Sequence, residues 1–352
     1  QWGSGGRQSV LRREHRLRPQ RLGQIHPGAS DSPLAAAHRS PNRRVTARYL
    51  RTRRYVVVTR LQHGTRQVSE TDGRIGPDLP PTGTPDPASN ITDEIRTKAR
   101  ELGFGEIGFT RYDRRYTFKV KKGWVKFEHA VCLAYEQDYR QTQTIPSMEA
   151  EYAHYGAYEE ENKQGILLAE YIREKGYRAQ IHSPNDNSAP YIPMFVEAGL
   201  GQLGANGQLL SPHFGSRSRL MIITTDAPVD YDSPVDYGIH KFCDICQVCV
   251  NRCPGRALVK EKVWWRGAEK NKLMYERCRP VMAKYEGCGV CMKVCPIQRY
   301  GMEPVMKHYV ETGEVLGKNT DNLEGFTFED RGGYFGPGEL PKFDTEFFEI
   351  PK

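Results

Sequence analysis

The chain has 352 residues, 38% of them apolar and 27% charged, a balance that suits one large globular domain with a smaller companion. It holds no run of roughly 18 apolar residues, which excludes a membrane-spanning helix. The net charge of +8 does not announce a nucleic-acid surface: lysine is absent before Lys98, about 15 arginines stand against Glu14 and Asp31 between Arg7 and Arg66, and the remainder is mildly acidic.

Residues 1–88 show no sustained helical or strand period. They are rich in Arg, Gly, Pro and Ser and close on GPDLPPTGTPDPASN, so they read as a disordered or poorly packed leader. The arginine bias, with no initiator methionine, also fits an upstream region that is not normally translated. Arg43-Arg44 raises a twin-arginine export signal, but no apolar segment follows, because YVVV at 55–58 gives way at once to TRLQ. A cytoplasmic protein is expected.

Order is expected from Asn90 or Thr92, either of which can cap a helix that buries Ile95, Ala99 and Leu102 and ends at Gly103. Two strands follow, Glu106 to Thr110 and Ala130 to Tyr135. A long helix is predicted from about Met148 to Lys175, with Gly165, Leu168, Ala169 and Ile172 as its buried stripe and Gly176 as its stop. Its first half carries Tyr152, Tyr155 and Tyr158. Next come a helix end and a glycine-rich turn, MFVEAGLGQLGANG, then the strand SRLMIITTD. Glycines at 199, 201, 204 and 207 let the backbone press against something flat or bulky; the alternative is a plain tight connection. The stretch is not a G-x-G-x-x-G after a strand, and no phosphate-binding loop occurs. Beyond Thr312 no strong helix is expected, and the glycine-rich, aromatic tail reads as functional or as a wrap.

The most informative stretch is Cys243 to Pro296. Cys243, Cys246, Cys249 and Cys253-Pro254 form C-x2-C-x2-C-x3-C-P; Cys278, Cys288, Cys291 and Cys295-Pro296 repeat it with the first gap stretched. This is the ligand run of a protein with two [4Fe–4S] clusters, in which each fourth cysteine serves the neighbouring cluster. One cluster is therefore assigned Cys243, Cys246, Cys249 and Cys295, and the other Cys278, Cys288, Cys291 and Cys253. Tetrahedral zinc needs neither the third evenly spaced cysteine nor the Cys-Pro endings. Disulfides would call for an oxidising compartment. Cys132, inside an apolar run, is expected to be an inert buried thiol.

Taken together, NDNSAPYIPMFVEAGLGQLGANGQLLSPHFGSRSRL, HKFCDICQVCVNRCP, YERCRPVMAKYEGCGVCMKVCPIQRYG and the tail LGKNTDNLEGF…GYFGPGE resemble the corrinoid-dependent reductive dehalogenases, in particular their soluble, non-exported branch. Epoxyqueuosine reductase is a cousin. The resemblance runs from roughly Ile91 to Pro341, and the short Cys278-to-Cys288 gap is particular to it. It implies an α+β fold: a nitroreductase-like cobalamin-binding domain with an inserted ferredoxin-like two-cluster module. The expected divisions are a leader at 1–88, a corrinoid and substrate domain at 89–240, the ferredoxin-like module at 241–300, and a tail at 301–352 closing the corrinoid site.

The resemblance further implies two [4Fe–4S] clusters and base-off cobalamin, since no D-x-H-x-x-G motif supplies a histidine ligand. Cofactor contacts fall at Gly199, Gly201, Gly204, Asn206 and Gly207. Catalysis falls to Tyr158 as proton donor, Arg219 as its cation, and Asn185 as an orienting group. A free tyrosine has a pKa of about 10 and can give up its proton late, beside a guanidinium that stabilises the phenolate. Each residue has an ordinary reading too: Tyr158 an amphipathic-face tyrosine, with Tyr155 the next candidate; Arg219 a partner of a surface carboxylate; Asn185 a turn-former. His182 and His213 could be cobalt ligands, although a lone histidine is more often structural. Trp264 and Trp265 are expected to shield the clusters. The implied substrate is an organohalide, aryl above all, with electrons from an external ferredoxin, flavodoxin or reductase and no nucleic-acid partner. The alternatives are a corrinoid reductase of another substrate, such as a tRNA base epoxide, and a plain electron carrier.

Overall fold

The structure is a computed structural model that describes residues 76, 78–86, 90–184, 187–265, 267–328 and 333–339. Most of the expected leader lies outside the described residues. Its last part does not stand apart: the Thr82 and Gly83 amides donate to the Arg173 carbonyl at 3.0 and 3.1 Å.

Helix α1 (Thr92–Glu101) buries Ile95 and Ala99 and stops at Gly103, which takes φ +90°. The Asn90 carboxamide accepts from the Thr92 amide at 3.0 Å, so the anticipated capping residue serves the first turn. Strand β1 (Glu106–Arg111) is followed by two short 3-10 turns and by β2 (His129–Glu136). A short helix α2 (Tyr139–Gln143) leads into α3 (Met148–Glu174), whose Ser147 hydroxyl accepts from the Ala150 amide at 3.1 Å. Then come β3 (Ala179–His182), α4 (Ile192–Glu197), the two-residue strands β4 (Gln202–Leu203) and β5 (Leu209–Leu210), and β6 (Ser218–Thr225).

The strands β1, β2, β6 and β3 form one antiparallel sheet in that order. Period-two alternation divides its side chains between two cores. Val131, Leu133, Met221 and Ile223 face Ile95, Leu168, Ala169 and Ile172 of α1 and α3. Ala130, Cys132, Ala134 and Ile222 face Met194 and Phe195 of α4. Gly165 lets α3 press onto the sheet, for a Cβ there would stand 2.4 Å from the Met221 sulfur. Both central strands are thus covered on both faces, which is why β6 reads as a continuous apolar run.

The cysteine-bearing half is built from short pieces: α5 (Ile239–Cys246), α6 (Val248–Asn251), the hairpin β7 (Leu258–Trp265) and β8 (Ala268–Leu273), α7 (Tyr275–Lys284), α8 (Val290–Lys293), α9 (Pro296–Tyr300) and α10 (Met302–Thr312). The tail adds α11 (Asp321–Glu324) and the paired strands β9 (Phe326–Phe328) and β10 (Gly333–Phe335). It wraps onto this half: Leu323, Phe326 and Phe328 join a core with Phe242, Val248, Val290 and Val294. Arg252, only 1% exposed, holds the wrap by donating to the Glu324 and Phe335 carbonyls at 3.1 and 3.3 Å and to that of Glu339. Among the described residues no helix is long and apolar enough to cross a membrane. The content is mixed α and β, as the sequence predicts.

Candidate functional site

Local backbone geometry sets the thiols. Helix α5 carries Cys243 and Cys246 and is broken at Gln247, whose φ of +52° starts α6 and turns Cys249 back toward them. Cys288 takes φ +57° and Gly289 φ +70° ahead of α8, and Pro296 sits in the first turn of α9 just after Cys295. Backbone amides are aimed at sulfur: Ala205 at Cys243, Val248 at Cys246, Val290 at Cys288 and Gln298 at Cys295. The Ala257 amide lies 3.3 Å from the Cys253 sulfur.

The thiols sort themselves by which neighbours they feel. Cys246 and Cys295 respond to Cys243, and Cys249 to Cys295, Cys243 and Cys246. Cys278 responds to Cys253, and both Cys288 and Cys291 to Cys253 and Cys278. Cys249 stands between these groups, feeling Cys291 ahead of Cys246. Burial pushes Cys278 up to about 11 and Cys246 and Cys288 up to about 12, with neighbouring thiols adding to it. A buried thiolate set is tolerated when a cation compensates it. Among the described residues no three His, Cys, Asp or Glu side chains close on a single ion.

Cys243, Cys246, Cys249 and Cys295 line one small cavity of about 20 Å³, together with Ala205, Asn206, Leu210, Phe242 and Gln247. The glycine-rich turn therefore forms part of the wall of the first thiol set. Residues Cys243, Cys246 and Cys295 are buried, whereas Cys249 and all four cysteine residues of the second set are only partly buried. The two sets thus differ in access: one is inner, one outer.

The predicted catalytic pair is brought together. Arg219 opens β6 and Tyr158 lies in α3, 61 positions apart in sequence, yet the guanidinium carbon stands 5.5 Å from the centre of the tyrosine ring. Arg219 is buried at 8% exposure and donates to the Ser216 carbonyl at 3.4 Å, so it is not paired with a surface carboxylate. His154 stacks on Tyr155 and tilts against Tyr158, its ring centre 4.9 Å away. Burial and the nearby Arg219 hold His154 below its ordinary range against the opposing pull of Glu151. Asn185 lies outside the described residues.

Sequence reasoning missed Glu161. It sits one turn beyond Tyr158 on α3, fully buried, and among the described residues neither carboxyl oxygen has a hydrogen-bond partner. Burial raises its pKa well above the ordinary carboxyl value, with Arg219 opposing. The Nε of Arg219 is likewise without a partner among the described residues. The available signal was a carboxylate interrupting the stripe that continues through Gly165 and Leu168.

The remaining predicted residues divide. A Cβ on Gly199, Gly201 or Gly204 would meet the chain's own Ser233 carbonyl, Leu210 carbonyl, or Asn206 and Leu210 side chains at 2.5 to 2.8 Å. Their smallness thus serves the tight β4–β5 connection. Gly207, at φ +77°, has nothing within 4 Å. Asn206 lines the thiol cavity and holds the Gln208 amide at 3.1 Å. His182 is structural: it is fully buried, with Nδ1 at 2.5 Å from the Ser188 hydroxyl and Nε2 at 2.9 Å from that of Thr224. Cys132 is fully buried in the sheet and its pKa rises through burial, in keeping with an inert thiol. Trp264 and Trp265 are 74% and 41% exposed on the hairpin, so they are turned outward and do not shield the thiols.

No family model matches the chain. It is 33% identical over 144 residues to a tetrachloroethene reductive dehalogenase of Sulfurospirillum multivorans, covering 38% of this chain and 28% of that protein. It is 30% identical over 115 residues to an epoxyqueuosine reductase of Lactococcus garvieae, covering 31% of this chain and 32% of the relative. Among solved structures it resembles the catabolic reductive dehalogenase NpRdhA in complex with 3-bromo-4-hydroxybenzoic acid: TM-score 0.61, 25% identity, 72% of this chain and 39% of the other. A second reductive dehalogenase structure shares the fold at TM-score 0.63, covering 82% of this chain and 47% of the other. The resemblance read from the cysteine and glycine motifs is thereby borne out. The chain spans about a third of the length of these curated relatives.

Proposed function

We propose that this chain, a relative of reductive dehalogenases, is an oxidoreductase that removes halide from an organohalide, with a halogenated phenol as the substrate class. The reading rests chiefly on the Arg219 guanidinium lying over the Tyr158 ring, in a chain whose other half carries eight cysteines in two repeats of one motif. Replacing carbon-bound halogen by hydrogen takes in two electrons and one proton and releases one halide. Two [4Fe–4S] clusters and base-off cobalamin, when bound, supply the electrons.

The chain's own residues do the rest. Cys243, Cys246, Cys249 and Cys295 would hold the inner cluster, and Cys253, Cys278, Cys288 and Cys291 the outer one. Tyr158 delivers the proton to the carbon that loses halide. Arg219 stabilises the phenolate left behind, in a buried setting where a charge acts strongly. Burial raises the pKa of Glu161 well above the ordinary carboxyl value, which weakens its competition with Tyr158 for the Arg219 cation. The unpartnered Glu161 oxygens and Arg219 Nε are the buried polar atoms that a bound group would complete. Asn206 and Gly207 are the residues of the turn offered to the corrin, with Gly199, Gly201 and Gly204 supporting the turn. Asn185 is proposed to orient the substrate. The division into a corrinoid domain at 89–240, a ferredoxin-like module at 241–300 and a closing tail at 301–352, on a nitroreductase-like frame, belongs to the same reading.

The test is anaerobic purification with hydroxocobalamin, followed by a metal count and assay with brominated phenols and a reduced dye. About eight Fe and one Co per chain are expected, with bromide released. Tyr158→Phe should lower turnover by about 100-fold or more while Fe and Co stay bound; unchanged turnover would remove Tyr158 from the reaction. The identity to epoxyqueuosine reductases favours a second reading, reduction of a tRNA base epoxide by the same residues. Epoxide reduction without bromide release would decide for it.

A further inference from the structure

The hairpin β7–β8 is not used by this reaction, and its placement is specific. Its root is tied to the outer thiol set: the Ala257 amide approaches the Cys253 sulfur at 3.3 Å, the Met274 amide donates to the Ala257 carbonyl at 2.7 Å, and the Cys278 amide donates to the Met274 carbonyl at 3.1 Å. Asn271, 7% exposed, fastens the irregular part of the ladder by donating to the Val259 and Lys260 carbonyls at 3.1 and 2.8 Å. Lys262 binds Asp244 of α5 at 2.6 Å, anchoring the arm to the helix that carries Cys243 and Cys246. The arm is therefore a braced projection.

Its outer surface has an unusual composition. Cross-strand pairing of Val263 with Lys270 and of Trp265 with Ala268 puts these four on one face. Lys272 lies over the Trp265 ring at 3.4 Å. Trp264 projects at the tip, and Val263, Leu273, Tyr275 and Met282 are also exposed. Residues 258–273 hold five basic and two acidic residues, whereas the chain after its arginine-rich first 66 residues has more acid than base. Aromatic anchors ringed by cations form an interface suited to an acidic protein.

We propose that this hairpin is the docking arm for the electron donor, an acidic one-electron carrier protein that delivers its electrons to the outer cluster. Trp265, with Val263 beside it on the same face, gives the contact its apolar centre, and Lys270 and Lys272 draw in the carrier's carboxylates. Each docking oxidises one carrier by one electron, so two dockings serve each carbon–halogen bond. The assignment rests on the outer thiols holding a cluster and does not need the substrate to be a halide.

The test is stopped-flow reduction of the iron-loaded chain by a reduced plant-type ferredoxin, compared with dithionite. The triple variant Trp265→Ala, Lys270→Glu, Lys272→Glu should keep its iron and its dithionite rate while ferredoxin reduction slows about tenfold or more at low salt. The wild-type rate should fall as ionic strength rises past about 0.1 M. Trp265→Phe should retain most of the rate. An unchanged ferredoxin rate in the triple variant would overturn the proposal. So would an equal slowing with dithionite, or loss of self-association, anionic-vesicle binding or tRNA binding in place of donor reactivity. Absence of iron in the wild type would instead remove the cluster reading itself.

Discussion

The sheet-bearing half and the cysteine-bearing half are held together by different physics. In the first, β2 and β6 are covered on one face by Leu168 and Ile172 and on the other by Met194 and Phe195, all at most 1% exposed. Every strand is paired, and a 27-residue helix lies along one face. In the second, helices α6 and α8 have four residues each, far below the length at which a helix persists by itself. They enclose thiols that burial keeps from ionising. The first half can be stable on apolar area alone; the second has its strongest restraint only when something binds the thiols.

The largest separation between the halves should come from removing that restraint. Iron chelation under anaerobic conditions is expected to expose residues 239–300 to protease and to rapid hydrogen exchange, while the amides of β2 and β6 stay protected. Cys291→Ser should cost about four of eight Fe and leave the inner set loaded. If chelation melted β2 and β6 as well, the two halves would be one cooperative unit and the contrast would fail.

Much of this contrast was legible beforehand, because periodicity reports which face of a local element is buried. The stripe Gly165, Leu168, Ala169 and Ile172 located α3, the apolar run before Asp226 located β6, and cysteine spacing located both thiol sets. What was not legible depends on partners distant in sequence. Arg219 meeting Tyr158 is a consequence of how α3 crosses β6. The same crossing turns Glu161 from an apparent helix-surface carboxylate into a buried acid. Trp264 and Trp265 misled for a related reason: large apolar residues usually seek cover, and a two-stranded arm has no second layer to give it. The glycines of the β4–β5 turn were read as room for a cofactor, but at three of four positions the nearest atom is the chain's own.

A middle-sized effect should confirm that the sheet half is sustained by packing. Phe109, fully buried in β1, stacks under the Arg96 guanidinium at 5.0 Å. Phe109→Ala is expected to lower the unfolding free energy of the sheet by about 3–5 kcal/mol, seen as a lower denaturant midpoint. Iron content in buffer should not change. Parallel loss of iron would show that the sheet, and not the metal, organises the cysteine half.

The smallest effect concerns where the halves differ in pH response. Glu106 at the start of β1 is 5% exposed, and burial raises its carboxyl from 4.5 to about 7, with the nearby Glu136 adding to the rise and Ser211 and the His213 amide opposing it. A carboxyl whose folded pKa lies above its unfolded one makes no demand while both states are protonated, below about pH 4.5. It becomes a cost as pH rises above 4.5, where the unfolded chain ionises while the folded state keeps its proton, and the cost is complete once pH has passed about 7. The full difference is about 3 kcal/mol at 1.36 kcal/mol per pKa unit. Glu106→Gln should therefore stabilise the sheet at pH 8 by up to about that amount, and by under about 1 kcal/mol at pH 5. Denaturant titrations at the two pH values measure the difference. An equal effect of the substitution at both would place the stabilisation in packing and leave the pH response of the sheet to other groups.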